Sequence, residues 1–165
     1  MPAARDGAVQ RLTKAEIFVT IEGYRGPLIA IYDQPGGIAP AWRGDTALYA
    51  VPPSGIVRIA LAEPARGTRV FLVESGVAYR PVAIFGTCDE EPLVATADLP
   101  QACWLDFEVG GTGIPDHIVA VVTSALSLDA DYHRTTFVYD SVVLGGNGGK
   151  ARKRQGRVRH SRPRS

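Results

Sequence analysis

The sequence predicts an all-β, mainly antiparallel fold, either a β-sandwich or a partly open barrel of about eight short strands, with at most one short helix. Three observations support this class. The 165 residues include 18 glycines and 12 prolines, which favour many turns. Segments with strand-like alternation recur at a spacing of roughly 8 to 12 residues. The composition, with 45% hydrophobic and 21% charged residues, is typical of a globular protein.

The N-terminal half contains four predicted strands. Residues 16–21 carry bulky side chains on both faces, and residues 28–33 resume the strand pattern after a break rich in glycine. We expect these two segments to form a hairpin. A short strand over residues 47–51 stops at a Pro-Pro pair, because proline removes a backbone donor. Residues 56–61 then present one apolar and one mixed face, as on a half-solvated sheet.

The central part of the chain predicts a second hairpin and two further strands. Residues 68–74 and 79–85 form the hairpin, and a Ser-Gly pair joins them. Residues 104–109 alternate cleanly, which indicates a strand with one solvated face. The unbroken apolar run over residues 118–122 is typical of a central strand.

The end of the domain predicts a short helix and a last strand. Ser124 is a suitable N-cap for one or two helical turns over residues 124–132. Residues 135–144 are rich in β-branched and aromatic side chains, so this pattern favours a strand. We therefore expect an irregular lead-in over residues 1–14, one β-rich domain over residues 15–144, and a glycine hinge with a disordered basic tail over residues 145–165.

Charge is strongly segregated between the domain and the tail. Residues 150–165 contain eight Lys and Arg and no acid, so the tail carries +8 and residues 1–149 carry −7. The tail predicts electrostatic binding to nucleic acid or to an anionic membrane. The alternatives are an extension without function and a tail that folds back on the acidic domain. The candidate polyanion-binding residues are Lys150, Arg152, Lys153, Arg154, Arg157 and Arg159.

Targeting signals and cysteines give expectations about the compartment. No apolar stretch approaches the length of a transmembrane helix, and the first residues lack the apolar segment of a signal peptide, so a cytoplasmic location is the default expectation. Cys88 and Cys103 lack a CxxC spacing and a second ligand pair, which argues against a zinc site. The two cysteines could pair in an oxidising compartment, but in a chain without an export signal we expect free, partly buried thiols.

The inventory of catalytic and metal-binding residues is sparse. Asp116 with His117, and Asp129 and Asp131 with His133, are more typical of solvated acidic turns than of a metal site. The sequence has no GxSxG elbow, and no lysine follows its Gly-Gly-Thr-Gly segment as in a phosphate loop. No cofactor is therefore expected.

One strand face is the best candidate for a site within the domain. Trp104, Asp106 and Glu108 share a face of the predicted strand, and a tryptophan beside carboxylates suits a sugar or a cationic ligand. Asp106 with Glu108, or Asp116 with His117, also permits a hydrolase hypothesis. We expect instead an uncharacterised, non-catalytic domain that binds a ligand or partner or has a structural role. Polyanion binding through the tail and an acidic hydrolase site are the alternatives.

Three stretches resemble a bacterial family of small β-rich domains of unknown function. Residues 18–26 read FVTIEGYRG, residues 28–37 read LIAIYDQPGG, and residues 51–56 read VPPSGI. They are similar to the family's "PEGYxG", "DQPxG" and "IPxxG" motifs, and the likeness extends over residues 16–85. The resemblance implies a β-rich fold, and it implies an extracytoplasmic location because members are often secreted or lipid-anchored. Thr20-Ile21 departs from the Ile-Pro that the family favours, and the signal segment is missing.

Overall fold

The computed structural model describes residues 13–65, 67–88, 100–105, 114–124 and 126–145. This part of the chain is β-rich, as predicted, and contains nine strands and one α-helix. In chain order these elements are β1 (Ala15–Thr20), β2 (Gly26–Ile31), β3 (Ala41–Arg43), β4 (Thr46–Ala50), β5 (Ile56–Arg58), β6 (Arg69–Glu74), β7 (Arg80–Thr87), β8 (Gln101–Trp104), β9 (His117–Thr123) and α1 (Leu128–Val142).

The strands form one mixed sheet in the order β3-β4-β1-β6-β7-β8-β9-β2-β5. Four of the eight strand pairings are parallel, so the prediction of a mainly antiparallel sheet is only half right. The predicted hairpin of β1 with β2 is wrong, because β1 pairs with β4 and β6 while β2 pairs with β5 and β9. The connection between β1 and β2 instead leads the chain to another part of the sheet. The predicted hairpin of β6 with β7 is confirmed.

The sheet curls into a partly open barrel. Four strands separate β1 from β2 in the sheet, yet the Tyr32 hydroxyl at the end of β2 donates a hydrogen bond to the Glu16 carboxylate of β1 at 3.0 Å. A flat sheet could not bring these side chains together, since each strand adds nearly 5 Å of separation. Ile38 forms a parallel bridge with Ile59 next to β5, and β3 pairs with β4 only a few residues later. The chain thus crosses from one edge of the sheet to the other.

Alternating residues of the strands build two apolar clusters, one on each side of the sheet. Leu28 and Ala30 of β2 point into the barrel, where they pack with Phe18 and Tyr49. Ile29 and Ile31 point outward into a second cluster beneath α1. Every residue of β2 is therefore buried. The predicted central strand over residues 118–122 is confirmed, because β9 lies between β8 and β2 and is covered in the same way.

The helix replaces the strand that was predicted over residues 135–144. Asp131, Thr135 and Tyr139 are buried at four-residue intervals, so one helical face packs on β2 and β9. The β-branched side chains suggested a strand, but this long-range packing overrides their intrinsic preference. The Thr135 hydroxyl also donates to the Asp131 carbonyl at 2.7 Å, a bond that a helix permits. The N-cap is Ser127, whereas the sequence had suggested Ser124.

Cys88 and Cys103 form a disulfide, so the expectation of free thiols is wrong. The parallel pairing of β7 with β8 sets Thr87 opposite Trp104, and the Cys88 amide donates to the Trp104 carbonyl at 2.9 Å. This register brings the two Cα atoms to 4.8 Å, within the range that a disulfide spans. A separation of 15 residues along the chain gave no indication of the pairing.

Candidate functional site

A pocket of about 410 Å³ lies where the barrel is open, between the end of β4 and β5. We call it the seam pocket. Its volume is at the small end of the range for ligand sites in proteins. The lining residues come from the loop after β2, from β4 and the turn that follows it, and from β5. They are Gly36, Ile38, Ala50, Pro52, Ser54, Ile56, Val57 and Arg58.

The turn between β4 and β5 closes one end of the seam pocket. Pro52 and Pro53 end β4, and the Gly55 amide donates to the Pro52 carbonyl at 2.8 Å. Gly55 has a φ of 77°, and a Cβ atom at this position would overlap the Pro27 carbonyl oxygen. Only glycine fits there, because a side chain would push β5 away from β2. The Ser54 hydroxyl accepts a hydrogen bond from the Ile56 amide at 3.3 Å.

The loop before β3 closes the other end. The Ile38 amide donates to the Arg58 carbonyl at 2.8 Å, and the Ala60 amide donates to the Ile38 carbonyl at 3.0 Å. Gly37 permits this close approach, since a Cβ atom there would lie 2.6 Å from the Ala60 nitrogen. The seam pocket is thus bounded by strand edges on two sides and by a turn and a loop at its ends.

Backbone groups of β5 point into the seam pocket. Pairing with β2 uses Gly55 and Ile59, because the Ile29 amide donates to the Gly55 carbonyl and the Ile59 amide donates to the Ile31 carbonyl, both at 2.8 Å. Successive residues of a strand direct their backbone groups to opposite sides, so Ile56 and Arg58 face away from β2. In the described part of the chain no strand pairs with β5 on that side.

The opposite wall of the seam pocket also exposes a strand edge. The Val51 amide donates to the Val19 carbonyl of β1 at 2.8 Å, so the neighbouring Ala50 directs its backbone groups away from β1. The short β3 pairs only with Thr46, Ala47 and Leu48, and its first residue lies opposite Leu48. Ala50 lies beyond the end of β3, and it is exposed. Two strand edges therefore face each other across one pocket.

Arg58 is the one charged side chain among the described residues that line the seam pocket. It is exposed, and its Nη1 lies 3.5 Å from the Gln34 Oε1, at the limit of a hydrogen bond. Ile38 contributes an apolar surface and is 44% exposed. The seam pocket thus combines backbone edges, an apolar patch and one accessible guanidinium group.

A second polar cluster lies inside the barrel. Glu16 is 1% exposed, and the Tyr32 hydroxyl is 3.0 and 3.1 Å from its two carboxylate oxygens. Burial raises the pKa of Glu16 to about 7, the hydrogen bond from Tyr32 opposes that rise, and the charge of Glu63 adds to it. Burial also raises the pKa values of Tyr32 and Tyr49. This cluster holds a proton near neutral pH, but no described residue of it lines the seam pocket.

Glu63 extends this acidic region toward the barrel surface. Burial raises its pKa, the charge of Asp116 raises it further, and His117 opposes the rise. The His117 ring lies with Nδ1 at 2.7 Å from the Pro115 carbonyl and Nε2 at 3.0 Å from the Tyr139 hydroxyl. Both ring nitrogens of His117 therefore have partners.

The other residues that the sequence singled out are dispersed. Trp104 is half-buried against the inner cluster, whereas Asp106, Glu108 and the six candidate basic residues of the tail lie outside the described residues. His133 lies 3.4 Å from Asp129, while Asp131 accepts a hydrogen bond from the Thr123 hydroxyl at 2.7 Å. Within the described ranges no group of three potential ligands could hold a metal ion. The Trp104 face and the tail stay predictions.

Sequence reasoning missed the seam pocket and the Glu16 cluster. The one local signal for the pocket was the Pro-Pro-Ser-Gly turn over residues 52–55, which was recognised as the end of a strand. Glu16 was recognised in its strand, but only the curl of the sheet brings it to Tyr32. Its position on the same face as buried Phe18 and Thr20 was the available signal.

Comparisons with known proteins leave the family open. No family model matches the chain, and no curated protein matches it. A crystal structure described as "Putative Lipoprotein from Bacillus anthracis" is similar, with 14% identity and a TM-score of 0.44 over 67% of this chain and 70% of that chain. The helix in the described residues is too short and too polar to cross a membrane. The class defined here is a β-rich domain built on a partly open barrel with a pocket at its seam.

Proposed function

We propose that this protein is a non-catalytic binding domain that takes a short extended peptide as an added strand in the seam pocket. One observation carries the proposal: the backbone edge of Ala50 on one wall and, on the other, the Ile56 carbonyl and the Arg58 amide face the same pocket. Exposed strand edges are ready templates for an incoming strand. Peptide recognition by strand addition uses such edges for affinity and side-chain pockets for specificity.

The geometry favours a peptide over a rigid small molecule. An extended segment presents donors and acceptors alternately to its two sides, so one strand can bond to both walls. It would lie along β5 ahead of Ile38, in line with the residues that lead into β3, whose first residue, Ala41, lies opposite Leu48 of β4. Each backbone hydrogen bond contributes about 1 kcal/mol net, and association costs several kcal/mol. We therefore expect a dissociation constant in the micromolar to millimolar range.

Peptide-array screening followed by titration tests this function. Random heptapeptides are screened against the full chain, and each hit is titrated by fluorescence anisotropy. Ala50→Trp fills the pocket from an exposed position, and Ala62→Trp places the same side chain on exposed surface that does not line the pocket. We expect Ala50→Trp to weaken binding at least tenfold and Ala62→Trp to leave it unchanged. Absence of any hit, or hits that tolerate Ala50→Trp, would disprove the proposal.

A second candidate function rests on the basic tail. Eight Lys and Arg without an acid in residues 150–165 favour binding to polyanions with a steep salt dependence. Deletion of these residues should abolish binding to duplex DNA, to RNA and to vesicles containing anionic lipid at low salt. Unchanged binding after the deletion would remove this candidate. The hydrolase hypothesis stays a prediction, with Asp106 and Glu108 or Asp116 and His117 as its site.

A further inference from the structure

The far end of the seam pocket stops a strand that is added to β5. Ile38 already donates to the Arg58 carbonyl and accepts from the Ala60 amide. The next pairing position along β5 is therefore occupied by this chain itself. A peptide that pairs with Ile56 and Arg58 must leave the sheet at this point or end there.

The direction of the added strand follows from its neighbours. Ile38 forms a parallel bridge with Ile59, and β3 runs antiparallel to β4. A strand that continues this arrangement runs parallel to β5, from Ile56 toward Arg58, and antiparallel to β4. The C-terminal side of the peptide then lies beside Arg58 and Ile38.

The charge at this end of the pocket complements a carboxylate. Arg58 is exposed, and within the described residues its guanidinium group has one weak hydrogen bond, to Gln34 at 3.5 Å. The pocket is lined there by Gly36 and Ile38, which add no charge of their own. A guanidinium group is well suited to a carboxylate because its N–H groups match the two oxygens.

Resting on the proposed function, we propose that the occupant of the seam pocket is the free C-terminal end of a partner chain, with its terminal carboxylate bound by Arg58. A chain that ends beside Arg58 needs no bend where Ile38 blocks the edge. The terminal carboxylate takes the place where a continuing peptide would have to turn outward. Strand addition supplies the affinity, and Arg58 selects chain ends.

Matched peptides test the inference separately from the proposed function. The best heptapeptide from the array is synthesised with a free C-terminal carboxylate, with a C-terminal amide, and as an amide whose last residue is Asp. We expect amidation to weaken binding about tenfold, which a charge-assisted hydrogen bond can account for. The Asp-amide peptide should not restore the affinity, because its carboxylate lies beyond the end of the edge.

Arginine variants complete the test. In Arg58→Gln the free-acid and amide peptides should bind with affinities that differ less than about twofold. Arg43→Gln, which changes another exposed arginine that does not line the pocket, should keep the wild-type preference.

Equal binding of free acid and amide to the wild type would overturn the inference while the peptide function stands. Restored affinity of the Asp-amide peptide would assign the site to internal acidic residues instead. The proposed peptide-binding function itself is tested separately, by the loss of peptide binding in Ala50→Trp.

Discussion

Two regions of the sheet differ in what covers them: the wall, formed by β2 and β9 under α1, and the seam, formed by β5 and the end of β4 at the pocket. Both faces of β2 are covered, one by the barrel interior and one by the helix, and all six of its residues are buried. The neighbouring strand β5 is covered on one face only, since Val57 is buried and the next residue, Arg58, is exposed. The same sheet therefore has a wall whose side chains stabilise the fold and a seam where β5 leaves a strand edge exposed.

Matched isoleucines give the largest expected difference between these regions. Ile31→Ala removes a side chain that is 1% exposed in the outer cluster, and we expect a loss of about 2 to 5 kcal/mol in the free energy of unfolding. Ile38→Ala acts at the seam, where the side chain is 44% exposed, and we expect a loss under about 1 kcal/mol. Urea unfolding followed by circular dichroism measures both. Equal losses would show that the seam contributes to the core.

The disulfide links the end of β7 to β8 and should stabilise the fold there. Its removal in a Cys88→Ala, Cys103→Ala double variant should lower the free energy of unfolding by about 3 kcal/mol, because a loop of this length is no longer closed in the unfolded chain. Urea unfolding with and without dithiothreitol provides the measurement. The reductant should destabilise the wild type and leave the double variant unchanged. A wild type that is insensitive to full reduction would contradict this role.

Local patterns predicted the strands better than their partners. The alternation in β6 and β7 and the turn between them are neighbours in the sequence, so their hairpin could be predicted. The parallel pairings of β1 depend on segments far along the chain, and no local pattern encodes them. The same limit hid the disulfide, since only the register of β7 on β8 brings Cys88 to Cys103.

Of the candidate site, only the turn between β4 and β5 could be predicted from the sequence. Pro52, Pro53 and Gly55 indicate where β4 ends and β5 begins, and the structure confirms that boundary. The pocket also needs Ile38 on β5 and a β3 that begins opposite Leu48, and both are tertiary features. The continuation of the helix over residues 135–142 was missed for a related reason, because burial of Thr135 and Tyr139 on β2 and β9 outweighs their preference for strands.

The interior of the barrel should make stability depend on pH. Glu16 faces Tyr32, Tyr49 and Glu63, and its pKa is raised from 4.5 to about 7. The folded state then binds a proton more tightly than the unfolded state, so stability is full below pH 4.5 and falls as the pH rises through 7. The loss should be at most about 3 kcal/mol. Glu16→Gln should remove this dependence, measured by urea unfolding between pH 4.5 and 8.

A control separates Glu16 from the other carboxylates. Glu22→Gln changes an exposed carboxylate near the end of β1 and retains Glu16, so the fall in stability with rising pH should persist. If Glu16→Gln shows the same fall as the wild type, another group controls it. Glu63, whose pKa is also raised by burial, would then be the next residue to test.

The smallest expected effect concerns the hydrogen bond between α1 and β9. Because His117 Nδ1 lies 2.7 Å from the Pro115 carbonyl, the neutral ring carries its proton on Nδ1 and accepts from the Tyr139 hydroxyl at Nε2, 3.0 Å away. Tyr139→Phe keeps the buried ring and removes this donor, so we expect a loss of about 1 kcal/mol in the free energy of unfolding. Nitrogen-15 NMR of the His117 ring should report the Nδ1–H tautomer. An Nε2–H tautomer in the wild type would contradict the assignment, because Nε2 would then donate to the Tyr139 hydroxyl and could not accept from it.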